Sequence, residues 1–163
     1  MTLTVPIGIV GLVLSVVPVW AADFSAELDF VTRASNSNLL AIEESRLALD
    51  RTGDSQVKTF ARRMVEDHGN AEAELKAAAE GCGATVPTAL DEEHETRLKA
   101  LQSESGLEFD KAYVADQGEN HSNALTLYGD YMLWGYEKLH ALAIKMIPIT
   151  KAQLKDAQVL AGD

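Results

Sequence analysis

The sequence predicts an all-α protein, a four-helix bundle with an additional short connecting helix. Three observations predict it. Strand-type alternation is almost absent from the 163 residues. Apolar residues recur instead at steps of three and four over long stretches. Those stretches are parted by short breaks rich in Gly, Asp and Pro. Long helices with brief turns and one short intervening helix describe a bundle plus a connecting element.

The first helix is expected over Ser25–Arg51, with Phe24, Leu28, Val31, Ser35, Asn38, Ile42, Ser45 and Leu49 on one face. Gly53 and Asp54 stop it, and Asp54 or Ser55 can cap the next helix. The second is expected over Ser55–Glu80, with Val57, Phe60, Met64, His68, Ala71, Leu75 and Ala78 on one stripe, ending at Gly81. Each of these helices is roughly 40 Å long at 1.5 Å per residue. A shorter third helix is expected to start at Pro87 and Thr88. Thr88-Ala89-Leu90-Asp91 resembles a capping box, and Leu90, His94, Leu98 and Leu101 form the face. Ser105-Gly106 breaks it. The fourth helix, Leu107–Leu133, places Leu107, Val114, His121, Leu125, Tyr128 and Met132 on a stripe flanked by Phe109, Tyr113 and Gln117. Trp134-Gly135 is the next break, beside the aromatic group Tyr131, Trp134 and Tyr136. A last helix over Glu137–Leu160 contains Pro148, which should bend it, because proline removes a backbone donor and clashes with the carbonyl of Ile144.

The N-terminus reads differently. Residues 1–22 carry no charged side chain. Val5 to Trp20 is an apolar run of signal-peptide length, and Val19-Trp20-Ala21 offers small residues where a signal peptidase reads. Residues 1–21 are therefore expected to be a signal peptide and 22–163 the helical domain, which implies a periplasmic or secreted protein. The competing reading is an uncleaved anchor. Pro6, Gly11 and Pro18 disfavour a span, and after cleavage no stable membrane span is expected.

The net charge of -11 argues against nucleic acid, whose phosphates would repel the chain. It equally disfavours adsorption to an anionic membrane surface. Cys82 is the only cysteine, so an internal disulfide is excluded. No nucleophile with a paired base, no phosphate loop and no redox cysteine pair appears, so the chain shows no catalytic constellation.

The histidines carry the functional interest. Glu66-Asp67-His68-Gly69-Asn70-Ala71 is nearly repeated as Glu119-Asn120-His121-Ser122-Asn123-Ala124. In the same register Phe60 aligns with Tyr113, and Leu75 with Tyr128. Duplication and chance both account for the match. His68 and His121 fall on the apolar stripes, near the middles of their helices, so both are expected to be buried at one level. A buried imidazole must find partners. Asn38 or Ser45 on the first helix and Gln153 on the last are the expected ones. Two readings stay open: hydrogen-bonded core histidines, or ligands to a transition-metal ion, with Glu72, Glu43 and Glu44 as the carboxylates within the same set. A standard di-iron centre needs Glu-x-x-His on two helices. Val65 and Gly118 stand where those glutamates would be, so such a centre is not expected. His94 lies in the acidic run Asp91, Glu92, Glu93 and Glu95, expected to be a solvated face, and His140 is expected to be exposed.

Val57-Lys58-Thr59-Phe60-Ala61, Met64-Val65-Glu66-Asp67-His68, Glu74-Leu75, Pro87, Leu90, His94 and Leu98-Lys99-Ala100-Leu101 stand in an order and spacing similar to an exported bacterial family, domain of unknown function 4142. Gly106, Phe109-Asp110-Lys111-Ala112-Tyr113, His121 and Ile147-Pro148 continue the resemblance. It implies a ferritin-like bundle in the bacterial envelope and no established activity. Relatives tend to carry an acidic residue around Ala41 and a histidine at Gln153, so this chain lacks two ligand candidates. Three function classes follow: a metal-binding or oxidative-stress protein using His68 and His121, a non-enzymatic envelope module that contacts a protein partner without metal, and a membrane-anchored form.

Overall fold

The computed structural model describes residues 19–162 apart from 134 and 135, with side chains from residue 25 onward. The expected signal peptide and the Trp134-Gly135 break thus lie outside the described residues, wholly or nearly so. Five helices follow one another: α1 (Val19–Arg51), α2 (Ser55–Glu80), α3 (Glu92–Ser103), α4 (Gly106–Tyr131) and α5 (Glu137–Ala161). No strand occurs among the described residues. No helix there is long and apolar enough to cross a membrane.

Four helices build the bundle. α1 packs against α2 and α4, and α5 packs against the same two from the other side. Hence α2 and α4 share one diagonal of the bundle. α1–α2 and α4–α5 are antiparallel hairpins. α3 lies outside α1 and α4 and carries the chain back along the bundle. It delivers α4 beside the end of α1, where Arg51 donates to the carbonyls of Gln102 at 2.8 Å and Glu104 at 3.3 Å. This crossover makes α2 and α4 run parallel.

Local chemistry sets the helix ends. Asp54 caps α2, accepting from the backbone N–H groups of Gln56 at 2.6 Å and Val57 at 3.1 Å. α3 starts later than expected. Thr88 does not cap it; Asp91 does, accepting from the His94 N–H at 3.0 Å. The reason is upstream: the Asp91 N–H is held by the Asn36 side chain at 2.9 Å, which ties the non-helical segment 87–91 to α1. His94 turns back to the same cap, its Nδ1 lying 2.6 Å from Asp91, so it is half-buried instead of solvated. His140 is likewise half-buried. Its Nε2–H donates to the Met132 carbonyl at 2.8 Å and satisfies the end of α4. Pro148 sits inside α5 without ending it. The carbonyl of Ile144 loses its helical donor there, but Ile144 is exposed, so water can serve it.

α4 is rotated from the expected stripe. Leu107 and Met132, placed on the core face by the sequence, are 76% and 42% exposed. Phe109, Tyr113, Gln117, Asn120 and Ala124 are buried in their place. Aromatic side chains bury more area than Leu or Met, and the larger gain sets the rotation.

The core has two apolar halves. One gathers Phe30, Val31, Leu75, Tyr128, Tyr131 and Leu139. Phe30 stacks on Tyr131 at 3.9 Å between centroids. The half-buried Cys82 packs against this cluster and donates its S–H to the Ala79 carbonyl at 3.3 Å. The other half gathers Val57, Phe60, Met64, Phe109, Tyr113 and Ala157. Between them every bundle helix turns polar side chains inward: Ser35, Asn38, Glu44 and Ser45 from α1, His68 from α2, Gln117, Asn120 and His121 from α4, and Thr150 and Gln153 from α5.

Candidate metal centre: a histidine pair in the polar layer

His68 and His121 meet across the α2–α4 diagonal, with Nε2 3.3 Å from Nε2. The parallel course of the two helices puts equivalent positions at equal depth. Phe60 and Tyr113, aligned in the sequence, also touch, edge to face at 6.1 Å. The near-repeated hexamer therefore has a spatial counterpart.

The hydrogens of this contact follow from its surroundings, since each neutral imidazole has one N–H. His121 Nδ1 lies 2.5 Å from the Gln117 carbonyl, which can only accept. The hydrogen is on Nδ1. His68 Nδ1 lies 3.0 Å from Asn38 Oδ1. Asn38 is oriented by Glu72, because its Nδ2 donates to a carboxylate oxygen at 3.0 Å. Ser35 donates to the other oxygen of Glu72 at 2.6 Å. Turning the Asn38 amide over would set oxygen against oxygen. So His68 also carries its hydrogen on Nδ1. Both Nε2 atoms are then bare, and two lone pairs face each other.

Gln153 adds a third acceptor. Its Nε2 donates to Asp67 at 2.9 Å, which leaves the carbonyl end of the amide turned inward. Gln153 is buried, faces the His121 imidazole and supports its basicity. Yet Oε1 has no hydrogen-bond partner. The geometry decides between these two indications: His121 already commits its one hydrogen to Gln117, so it has none to give Gln153. Three side chains thus hold their donors outward and their acceptors inward.

A shared proton would resolve the clash of lone pairs, but burial opposes it. Burial, and then the neighbouring His121, push the His68 imidazole down to about 3. Burial also lowers His121. At neutral pH the pair is uncharged, and what suits two bare imidazole nitrogens is an electrophilic cation.

The carboxylates take other places. Glu72 acts through Asn38, not by direct contact. Glu43 pairs on the surface with Arg46 at 2.6 Å. Glu44 is fully buried but faces α4, accepting from Gln117 Nε2 at 2.7 Å. Ser45, expected beside a histidine, pairs with the Tyr113 hydroxyl at 2.8 Å. Among the described residues no group of three or more His, Cys, Asp or Glu converges on a point that could hold a metal ion. Sequence reading named Asn38 as a histidine partner, as found, and missed the Gln117 carbonyl and Asp67. Neither had a sequence signal, because Gln117 acts through its backbone and Asp67 from a partly exposed position.

Fold and site together define a class: an all-α bundle whose apolar core is interrupted by a polar layer built around a histidine pair. The chain belongs to the family described as domain of unknown function DUF4142, which matches residues 21–160. Two solved structures share the fold. A crystal structure of a DUF305 fragment from Deinococcus radiodurans superimposes with a TM-score of 0.75 at 13% identity, over 84% of this chain and 95% of that one. "CopM in the Cu(II)-bound form" superimposes with a TM-score of 0.69 at 17% identity, over 83% and 95%. No curated protein matches.

Proposed function

We propose that this chain is an exported metal-binding protein in which His68 and His121 take up a transition-metal ion, copper foremost, with Gln153 Oε1 as a third donor. The observation that carries the reading is the outward anchoring of both Nδ1–H groups, which leaves two bare Nε2 atoms 3.3 Å apart. Metal–imidazole bonds of about 2.0–2.1 Å across that gap would subtend about 105–110°, close to a tetrahedral angle. Imidazole suits copper and zinc, and copper leads the affinity order for nitrogen sites. A neighbour in fold is described as Cu(II)-bound, which supports the choice of copper. The uncharged N-terminal segment supports export. A site with so few protein ligands suits binding or carriage of the ion.

A second reading is an envelope interaction module without metal. The absence of a larger ligand group among the described residues favours it.

One titration separates them. Untagged protein stripped of metal is titrated with Cu²⁺ and with Zn²⁺, and melted with and without each ion. The expected result is one ion per chain and a raised melting temperature, both lost in His68→Ala and in His121→Ala. Gln153→His should bind more tightly than the parent, because imidazole replaces a weak carbonyl donor. Absence of binding, or binding that survives loss of both histidines, overturns the metal reading and leaves the interaction module.

A further inference from the structure

A second contact between facing acceptors lies one step from the histidines. Glu44 is completely buried on α1. One of its oxygens accepts from Gln117 Nε2 at 2.7 Å. The other, Oε1, has no donor, and neither does the buried Oδ2 of Asp116. Asp116 is the carboxyl set against Glu44. Carboxylate oxygens only accept, so the contact requires a proton on one of them. Arg97 decides which. It donates to Asp116 Oδ1 from Nε at 3.1 Å and from Nη2 at 2.8 Å, which matches it with Asp116. The proton belongs to Glu44, in keeping with its rise to about 10, caused first by burial and then by Asp116.

The contacts are continuous with the proposed metal centre. Gln117 donates from its side chain to Glu44 and accepts at its backbone carbonyl from His121. On the opposite side, Glu72 reaches His68 through Asn38. Asp67, the other nearby carboxylate, accepts from Gln153 and is partly exposed to solvent, with Arg63, which also pairs with Asp156, 3.9 Å away. A monovalent ion at the pair would find one counter-charge, Glu72. A divalent ion brings a second positive charge into the core, and the fully buried acid that can answer it, screened from solvent, is Glu44 once it loses its proton. The groups that face Glu44 are Asp116, Gln117 and Tyr113 from α4 and Arg97 from α3. None of them competes for that role.

We infer that Glu44 is a proton-linked counter-ion for the histidine pair: a divalent cation binds with release of the Glu44 proton, and a monovalent cation binds without it. The inference rests on the metal-binding reading above. It adds a preference by ion charge that pH controls.

Calorimetry on the untagged protein at pH 7, in two non-coordinating buffers of different protonation enthalpy, counts the protons. Zn²⁺ is the divalent probe and Ag⁺ the monovalent one; neither changes oxidation state. Wild-type protein should release close to one proton per Zn²⁺ and none per Ag⁺. Its Zn²⁺ affinity should rise by up to about tenfold per pH unit above neutrality. In Glu44→Gln the proton release should vanish, Zn²⁺ binding should weaken and lose its pH dependence, and Ag⁺ binding should stay as it was. The protonated-carboxyl stretch in the infrared spectrum of wild-type protein gives a readout independent of any variant. It should disappear with Zn²⁺ and persist with Ag⁺. Zn²⁺ bound without proton release, or equal release from Glu44→Gln, overturns the inference and leaves the metal reading standing. No binding of either ion to wild-type protein overturns both.

Discussion

The two apolar halves and the polar layer between them are stabilised in opposite ways. In the half around Phe30 and Tyr131, and in the half around Phe60 and Tyr113, burial of hydrocarbon is favourable whatever the fine alignment. In the middle layer, burial is costly unless each donor meets an acceptor. There the structure satisfies its donors in full and leaves acceptors over: His68 Nε2, His121 Nε2, Gln153 Oε1 and Gln117 Oε1, while Glu44 and Asp116 are reconciled only by the proton inferred above. A core selected for stability alone would fill this level with leucine. On the metal-binding reading proposed above, that surplus of acceptors at the centre of the bundle is where positive charge would be placed.

Substitutions can break that contrast, and the largest effect should come from the apolar side. Phe30→Ala removes a fully buried ring stacked on Tyr131 and should cost about 3–5 kcal/mol. Urea unfolding should show the loss equally with and without metal. A metal-dependent loss would mean the halves are not energetically separate from the layer.

The Glu44 side sharpens the contrast through pH. Its carboxyl titrates near 4.5 when unfolded and is raised to about 10 in the folded chain. Between those values the folded state holds a proton that the unfolded state has released. Its contribution to stability is therefore full below about 4.5 and declines as pH climbs toward 10. Glu44→Gln keeps both hydrogen bonds, since an amide can donate to Asp116 and accept from Gln117. Thermal melts should show the variant more stable than wild type at pH 9 and matched with it near pH 4.5. Parallel pH profiles would refute a buried protonated acid.

His68→Leu leaves Asn38 Oδ1 without its donor and should cost about 1–3 kcal/mol in the metal-free protein. Metal should no longer raise its melting temperature. A variant more stable than wild type would mean that relief of the facing lone pairs outweighs the lost hydrogen bond. At the small end, Lys145→Ala removes the ion pair with Glu74 at 2.6 Å. Both side chains are about half exposed, so the change should stay below about 1 kcal/mol and shrink with salt.

Much of this was legible in the residues. The helix ends at Arg51, Ser55 and Glu80 follow from Gly53, Asp54 and Gly81. The meeting of His68 and His121 follows from two apolar stripes and equal depth. The start of α3 was not legible, because the Asn36–Asp91 bond that delays it joins residues 55 apart. Nor was the rotation of α4, where Leu107 and Met132 compete with Phe109 and Tyr113 and side-chain size decides. The partnership of Glu44 with Asp116 was hidden for a similar reason. It requires three helices to be docked before a carboxyl on one can be seen to face a carboxyl on another. Periodicity tells which side of a helix is wet, and it is silent on which buried polar groups will meet.

The crossover made by α3 has a consequence for the order of folding. α1–α2 and α4–α5 are hairpins that form from neighbouring sequence, so their contacts are cheap in chain entropy. The His68–His121 contact joins residues 53 apart on different hairpins and exists only once the two have docked. The centre is thus among the last features to assemble and the first to open. Changes at the histidines should therefore appear in the unfolding rate and leave the folding rate almost untouched.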